Sequence, residues 1–191
     1  MKTHDFPDPK LGKAVPYGVY DVHGNEAGVS VGISHDTAAL AVAAIRRWWA
    51  NLGRTRYQGA KRILVTADSG GSNSSRCRLW KVELQKWADE TGLLVEVNHY
   101  PPGTSKWNKI AHRVFYHITR NWRGVSLETL AIVVQAIGAT TTQTGLEVHA
   151  WLDESQYENG RKVSDEELAE CNSKRNVYHG EWNCESHSRA N

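Results

Sequence analysis

The stretch that most constrains the fold covers residues 62–73 (RILVTADSGGSN), an apolar run that ends in a polar turn with two glycines. A short apolar run bounded by charged residues predicts a strand buried on both faces of a sheet. Asp68 follows directly, at the carboxyl end of the strand, where open α/β sheets place their ligands. Gly70 and Gly71 allow the backbone to approach a ligand closely. Asp68 is therefore the leading candidate for a chemical residue, and the alternative is that Asp68 and Ser69 cap the next helix.

The residues around this strand predict an α/β order. Residues 17–22 and 27–33 alternate and indicate an antiparallel hairpin. A helix is expected over residues 38–51, with Ser34 or Asp36 as its cap and Gly53 as its end. Two further elements are a helix over residues 76–91 and a strand over residues 93–98. Strand, helix and strand then form a right-handed parallel βαβ unit.

The second half of the sequence predicts further elements and a looser tail. They are a helix over residues 106–122 capped by Ser105, a helix over residues 127–139, a strand over residues 146–152, and a short helix begun by a capping box of Ser164 and Glu167. The sequence after Asn172 has no periodicity and is expected to be loosely held. We therefore expect an extended arm at residues 1–16, an α/β domain at 17–152 and a carboxyl-terminal extension at 153–191.

Composition restricts the function classes. The formal net charge of the 191 residues is only +2, so a surface that binds nucleic acid would have to be local. The three cysteines form no Cys-x-x-Cys pair, which argues against a zinc ribbon or a disulfide framework. Cys184, His179 and His187 fit no standard metal-binding spacing. Without an apolar leader or a membrane-length apolar run, a cytoplasmic protein is the expectation.

The order hairpin, helix, strand ending in Asp, helix, strand and helix is that of the ribonuclease H-like fold. Enzymes of that architecture place carboxylates at strand ends and on a late helix. Three carboxylates hold two magnesium ions about 3.5–4 Å apart, one activating the attacking oxygen and the other the leaving oxygen. Magnesium prefers hard oxygen ligands, which explains the use of Asp and Glu.

Seven segments carry a closer resemblance. They are GVYDV from Gly18, HDTA from His35, ADSGGSN from Ala67, RLWK from Arg78, PPGTSKWNKI from Pro101, NWRG from Asn121 and HGEWN from His179. Together they resemble the DDE domain of Rhodopirellula-type insertion-sequence transposases, from about His4 to Asn183. The resemblance implies a ribonuclease H-like mixed sheet flanked by helices. It also implies DNA transposition by strand cleavage and transfer with Mg²⁺ or Mn²⁺.

Two departures from the family pattern bear on catalysis. The family's third carboxylate is a Glu between Asn-Lys-Ile and His-Arg, and this sequence has Ala111 there. The family's first Asp lies on a strand upstream of the arm, so the first strand is expected to be missing and a sheet edge to be exposed. Asp68 alone remains as catalytic residue and metal ligand, and metal binding is expected to be weak or absent. Asp21 and Glu83 are considered as substitute ligands, but neither matches the family motif, and Asp21 is interpreted first as a solvent-side or turn residue. His112 follows the lost position, but the next residue on a helix is rotated by about 100°.

Basic residues interleaved with an aromatic residue predict contact with DNA. The candidate nucleic-acid-binding residues are Arg76, Arg78, Lys106, Trp107, Asn108, Lys109, His112 and Arg113. The alternative is that these residues form an ordinary solvated face, since the net charge of the chain is low.

Three hypotheses for the function follow. The first is a transposase-derived domain that is catalytically incomplete and retains DNA binding. The second is a noncatalytic interaction or regulatory protein that pairs with itself or with a transposase fragment through the exposed sheet edge. The third is that an upstream reading frame supplies the first strand and its Asp; Ala111 argues against it because the Glu would still be absent.

Overall fold

The computed structural model describes residues 14–101, 103–124 and 126–189, and the fold is a mixed α/β arrangement. The chain divides into two compact units. Unit 1 contains Met1–Asp36 and Lys109–Tyr157, and unit 2 contains Thr37–Asn108 and Glu158–Asn191. Of the arm expected at residues 1–16, residues 1–13 lie outside the described part.

The strands of the described residues are β1 (Val15–Asp21), β2 (Glu26–Gly32), β3 (Arg62–Ala67), β4 (Leu94–His99), β5 (Glu147–Asp153), β6 (Ser173–Arg175) and β7 (Asn183–Ser186). The α-helices are α1 (Ala38–Trp48), α2 (Arg54–Arg56), α3 (Arg78–Thr91), α4 (Tyr116–Asn121), α5 (Leu130–Gly138) and α6 (Asp165–Ala169). None of the helices that the structure describes has the length and apolar character that crossing a membrane requires.

Each unit is built on its own mixed sheet. In unit 1 the strand order is β1-β2-β5, and β2 runs antiparallel to β1 and parallel to β5. In unit 2 the order is β3-β4-β7-β6, with β3 and β4 parallel and β7 antiparallel to both of its neighbours. The predicted α/β class with mixed sheets and flanking helices is confirmed. The arrangement is compatible with a ribonuclease H-like transposase fold, although the strands form two sheets.

The core of unit 1 lies between β2 and the helices that follow Lys109. Every residue of β2 is buried, and its small and β-branched side chains leave room for close packing. The buried core residues of this unit include Val29, Val31, Val114, Ile118 and Ile137. A Cβ atom at Gly18 of β1 would lie 2.9 Å from both Ile110 Cδ1 and Phe115 Cζ, so glycine is what allows this close approach.

The core of unit 2 is formed by α1, α3 and β4. Trp80, Leu84 and Trp87 on α3 are fully buried, as are Val95 and Val97 on β4. Helix α3 ends at Gly92, which has the left-handed φ of 69° that favours glycine at this position. Strands β3 and β4, on either side of α3 in the chain, pair in parallel, which confirms the predicted βαβ unit.

Three predictions about the first half of unit 2 are wrong. Strand β3 is not buried on both faces: it is the end strand of its sheet, and Leu64 is 55% exposed. Helix α1 is capped by Thr37 rather than by Ser34 or Asp36, since Thr37 Oγ1 accepts a hydrogen bond from Leu40 N at 3.2 Å. Gly53 does not end that helical segment, because a π-helical turn over Trp49–Gly53 continues into α2.

The predictions for the third helix and the tail also need correction. A 3₁₀ turn over Ser105–Trp107 replaces the capped start, and a π-helical turn over Ala111–Phe115 precedes α4. The tail is not loosely held, because β7 completes the unit 2 sheet and Ser186 is 1% exposed. Short polar strands carry no hydrophobic periodicity, so only the pairing of β7 with β4 and of β6 with β7 reveals them.

Candidate nucleic-acid and metal site around Asp68

Asp68 lies where the sequence predicts, directly after β3 and at the carboxyl end of the parallel β3–β4 pair. Backbone and side-chain bonds hold the two strand ends together at this point. Tyr100 N donates to Ala67 O at 2.9 Å, and Ser69 Oγ donates to Tyr100 O at 3.2 Å. The Asp68 carboxylate is therefore presented from an ordered turn, half-buried at the end of the sheet.

The immediate surroundings of Asp68 are open and polar. Asn108 Nδ2 donates a long hydrogen bond of 3.5 Å to Asp68 Oδ2, so these two predicted residues are brought together. A Cβ atom at Gly70 would come no closer than 4.0 Å to Asp68 Oδ1, and Gly71 has a φ of +59°. Asp68 and Ser69 do not cap α3, because that helix begins at Arg78 after Cys77.

His99 forms hydrogen bonds to two other segments of unit 2. The sequence did not single it out. Its ring is buried at 6% exposure; Nε2 lies 2.8 Å from Asn73 O and Nδ1 lies 2.7 Å from Trp182 O. His99 thus joins the glycine turn to the carboxyl-terminal segment. The sequence places it between a strand and a proline-rich loop, which carries no signal for such a role.

The predicted basic residues of unit 2 differ in how open they are. Arg76 is exposed just before α3, where Cys77 supplies no side-chain cap to the helix. Arg78 is partly engaged by the protein, because its Nη1 lies 2.6 Å from Asp165 Oδ1 and 3.3 Å from Val163 O. Lys106 and Trp107 are exposed, and 53% of Trp107 is accessible to solvent. Lys106 and Trp107 therefore present a cation and an aromatic surface side by side along the chain.

The remaining predicted residues lie in unit 1, at and before the π-helical turn. Lys109, His112 and Arg113 are exposed, and Arg113 Nη1 donates to Tyr20 Oη at 3.4 Å. Ala111 opens the five-residue π turn and is also exposed. Turns of this kind are frequent at functional sites, but a methyl side chain offers no ligand atom to a cation.

Among the described residues, no group of three or more converging ligand-type side chains includes Asp68. Across the described ranges, the one group of three or more ligand-type side chains with converging atoms is Glu26, Glu147 and His149 in unit 1. Neither carboxylate considered as a substitute is available. Glu83 is buried and pairs with Arg46, Lys86 and Arg161.

The other carboxylate, Asp21, serves the hairpin. Its Oδ1 accepts from the backbone amides of His23 and Gly24 at 3.0 Å. This is the behaviour of a turn residue, and the interpretation of Asp21 as a turn residue rather than a metal ligand agrees with these bonds.

Comparison with known proteins includes a family model that matches most of the chain. The family model described as the Rhodopirellula transposase DDE domain matches residues 1–188 of the 191. No curated protein and no solved structure matches the chain. The family match extends over almost the whole sequence. The chain therefore belongs to the Rhodopirellula transposase DDE domain family, and its role is related to DNA transposition.

Proposed function

We propose that this chain is a DNA-binding domain derived from a transposase that cannot complete strand cleavage and transfer by itself. The observation that carries the proposal is Ala111. It is exposed at the start of the π turn, where the family resemblance implies a carboxylate ligand. Alanine is compatible with a helical backbone at this position, but its methyl side chain supplies none of the negative charge that two cations need.

Metal binding at Asp68 is proposed to be weak. DDE family domains generally use divalent metal ions, and a Mg²⁺ or Mn²⁺ ion here would be held by Asp68 and water. Asn108 directs an amide donor at Asp68 Oδ2, which leaves Oδ1 as the carboxylate oxygen open to an ion. A single carboxylate offsets little of the repulsion between two divalent ions, so we derive no two-metal step for this chain.

DNA binding is proposed to involve exposed residues of the segment 106–113, of which residues 106–108 belong to unit 2 and residues 109–113 to unit 1. This segment holds Lys106, Lys109 and Arg113 at exposed positions, with Trp107 among them. Each cation can neutralise a phosphate and release a counterion, and the indole can stack on an exposed base. Three phosphate contacts predict a slope of about −2 to −3 in a plot of log affinity against log salt concentration. The low net charge of +2 makes this local segment the main source of affinity.

Catalysis is tested by nicking of supercoiled DNA with Mg²⁺ or Mn²⁺. The unaltered chain, Ala111→Glu and Asp68→Ala are compared, and DNA binding is measured on the same samples. We expect no cleavage by the unaltered chain or by Asp68→Ala, with DNA binding retained. Cleavage by the unaltered chain that is lost in Asp68→Ala would contradict the proposal, because it would require a complete set of ligands. Cleavage gained only in Ala111→Glu would show that this one side chain is the defect.

DNA binding is tested with matched charge variants. One double variant carries Lys106→Ala and Lys109→Ala, and the control double variant carries Lys162→Ala and Lys174→Ala. All four lysines are exposed, and both double variants lower the net charge equally. We expect the first pair alone to reduce the magnitude of the salt slope by about 2. Trp107→Ala is expected to weaken binding to single strands by about 1–3 kcal/mol, with exposed Tyr178→Ala as its control. Equal effects of both lysine pairs would indicate nonspecific attraction and would contradict a local site.

A second function is favoured by one observation, the exposure of β3. Strand β3 ends the unit 2 sheet, and its Leu64 side chain is largely open to solvent. An exposed edge strand with an apolar side chain is a template for pairing with another strand. We propose that a second copy of the chain, or a transposase fragment, pairs there and that the protein acts as a noncatalytic partner.

The pairing is tested by sedimentation at increasing protein concentration. Leu64→Lys is expected to abolish self-association, while Val177→Lys, at a fully exposed apolar position elsewhere in unit 2, is expected to leave it unchanged. A monomer at every concentration would exclude pairing between copies. Equal loss in both variants would indicate general hydrophobic association instead of a strand edge.

A further inference from the structure

The sheet of unit 1 brings three ligand-type side chains together at one end of two strands. Glu26 and Glu147 are register partners in the parallel β2–β5 pair, and Glu147 and His149 are two residues apart on β5. Both relationships place side chains on the same face of the sheet. His149 Nε2 lies 3.0 Å from Glu26 Oε1, and the three ligand atoms lie within 4.8 Å of one another.

The electrostatics of this cluster favour a bound cation. Glu26 is only 4% exposed, and its Oε1 lies beside His149 Nε2. Glu147 lies opposite it in the register, and like charges opposite each other destabilise a sheet. On its other side Glu26 is the register partner of Asp21, so three carboxylates follow one another across the three strands. A divalent cation between Glu26 and Glu147 would turn this repulsion into attraction.

The imidazole supplies a second, independent indication. His149 Nε2 is buried and makes no hydrogen bond of acceptable geometry, although it lies close to Glu26. In a neutral ring, a nitrogen without a proton presents a lone pair of the kind that binds metals. The ring of His149 is stacked on Trp151, with centroids 6.2 Å apart and planes 13° apart. Stacking fixes the direction of the nitrogen, which lowers the cost of ordering the ligand.

We propose that Glu26, Glu147 and His149 form a transition-metal site, best suited to Zn²⁺, that ties β2 to β5. One nitrogen and two carboxylate oxygens suit zinc better than magnesium, which prefers oxygen ligands alone. Zinc at about 2.0–2.2 Å from each atom needs ligand atoms about 3.3–3.6 Å apart, which the exposed Glu147 can reach by rotation. Water completes the coordination. The site lies within unit 1 and involves neither Asp68 nor Ala111.

Zinc binding to the full chain, first treated with a chelator, is measured by calorimetry, and thermal unfolding is followed with and without zinc. We expect one equivalent of Zn²⁺ to bind and to raise Tm, while Mg²⁺ at the same concentration does neither. Glu147→Gln and His149→Gln should each weaken binding at least about tenfold and remove the rise in Tm. Glu147→Gln lies at an exposed position, so it tests the site without disturbing the core.

The chain contains 9 histidines and 3 cysteines, so zinc binding elsewhere must be separated from this site. His179→Gln and His187→Gln are matched controls, because each of these histidines also lies beside a glutamate, Glu181 and Glu185. Zinc binding that persists in Glu147→Gln and His149→Gln, or that is lost in the controls instead, would overturn the proposal. The absence of stoichiometric binding to the unaltered chain would overturn it as well. Circular dichroism of each variant confirms that loss of binding is not loss of fold.

Discussion

Replacing Gly18 with alanine should destabilise unit 1 measurably. The added Cβ would lie 2.9 Å from Ile110 Cδ1 and from Phe115 Cζ, closer than such atoms come in folded proteins. Both are outer atoms of side chains that pack against the core of unit 1, so they can move slightly but not leave. Overpacking of this kind costs about 1–3 kcal/mol, and partial relaxation places our expectation at about 1–2 kcal/mol. For a chain of this length, that corresponds to a Tm lower by about 2–8 °C.

Gly138→Ala is the matched control for this substitution. It lies in the same unit, at the end of α5, and the nearest atom to its added Cβ would be 3.9 Å away, an ordinary contact. Alanine there should be neutral or slightly stabilising, because it favours the helix. Urea unfolding of both variants gives the comparison, and Ile110→Val combined with Gly18→Ala should recover part of the loss. Equal stability of Gly18→Ala and the unaltered chain would refute the argument from close packing.

Three further predictions concern unit 2. The hydrogen bond from Arg62 lowers the pKa of Glu96, although burial acts in the opposite direction. Ionised Glu96 therefore contributes its full stabilisation above the ordinary pKa of Glu, and this contribution is lost as the pH falls through the lowered pKa. Glu96→Gln should flatten the decrease of the urea midpoint between neutral pH and about pH 3. Deleting residues 173–191 removes β6 and β7, the hydrogen bond between Gln85 and His187 O, and the bonds between Arg189 and Asp89. This deletion should lower the free energy of unfolding by at least about 3 kcal/mol. If the tail were loosely held, its deletion would change the free energy of unfolding very little. Burial raises the pKa of the Cys184 thiol. Alkylation of Cys184 near pH 8 should therefore be slower in the folded chain than in urea, and peptide mass spectrometry measures both rates. Equal rates would contradict the burial of this thiol.

Local patterns in the sequence were sufficient for the elements around Asp68. The apolar run before Asp68 predicts β3, the helical stripe that ends at Gly92 predicts α3, and their order predicts the parallel β3–β4 pair. These features depend on neighbouring residues, whose side-chain period and turn chemistry can be read directly. The capping residues were less accurate, since Thr37 rather than Ser34 or Asp36 begins α1. Several adjacent residues can serve as a cap, and packing chooses among them.

By itself, the sequence determined the α/β class, the hairpin, the βαβ unit and the position of Asp68 at a strand end. Only the tertiary structure decided which strands pair across long separations in the chain. The pairing of β5 with β2 brings Glu147 and His149 to Glu26, and the pairing of β7 with β4 brings an unpatterned tail into a sheet. The tertiary structure also leaves β3 at the end of its sheet, with Leu64 exposed. Periodicity reports which face of an element is apolar, whereas long-range strand pairing decides what that face meets.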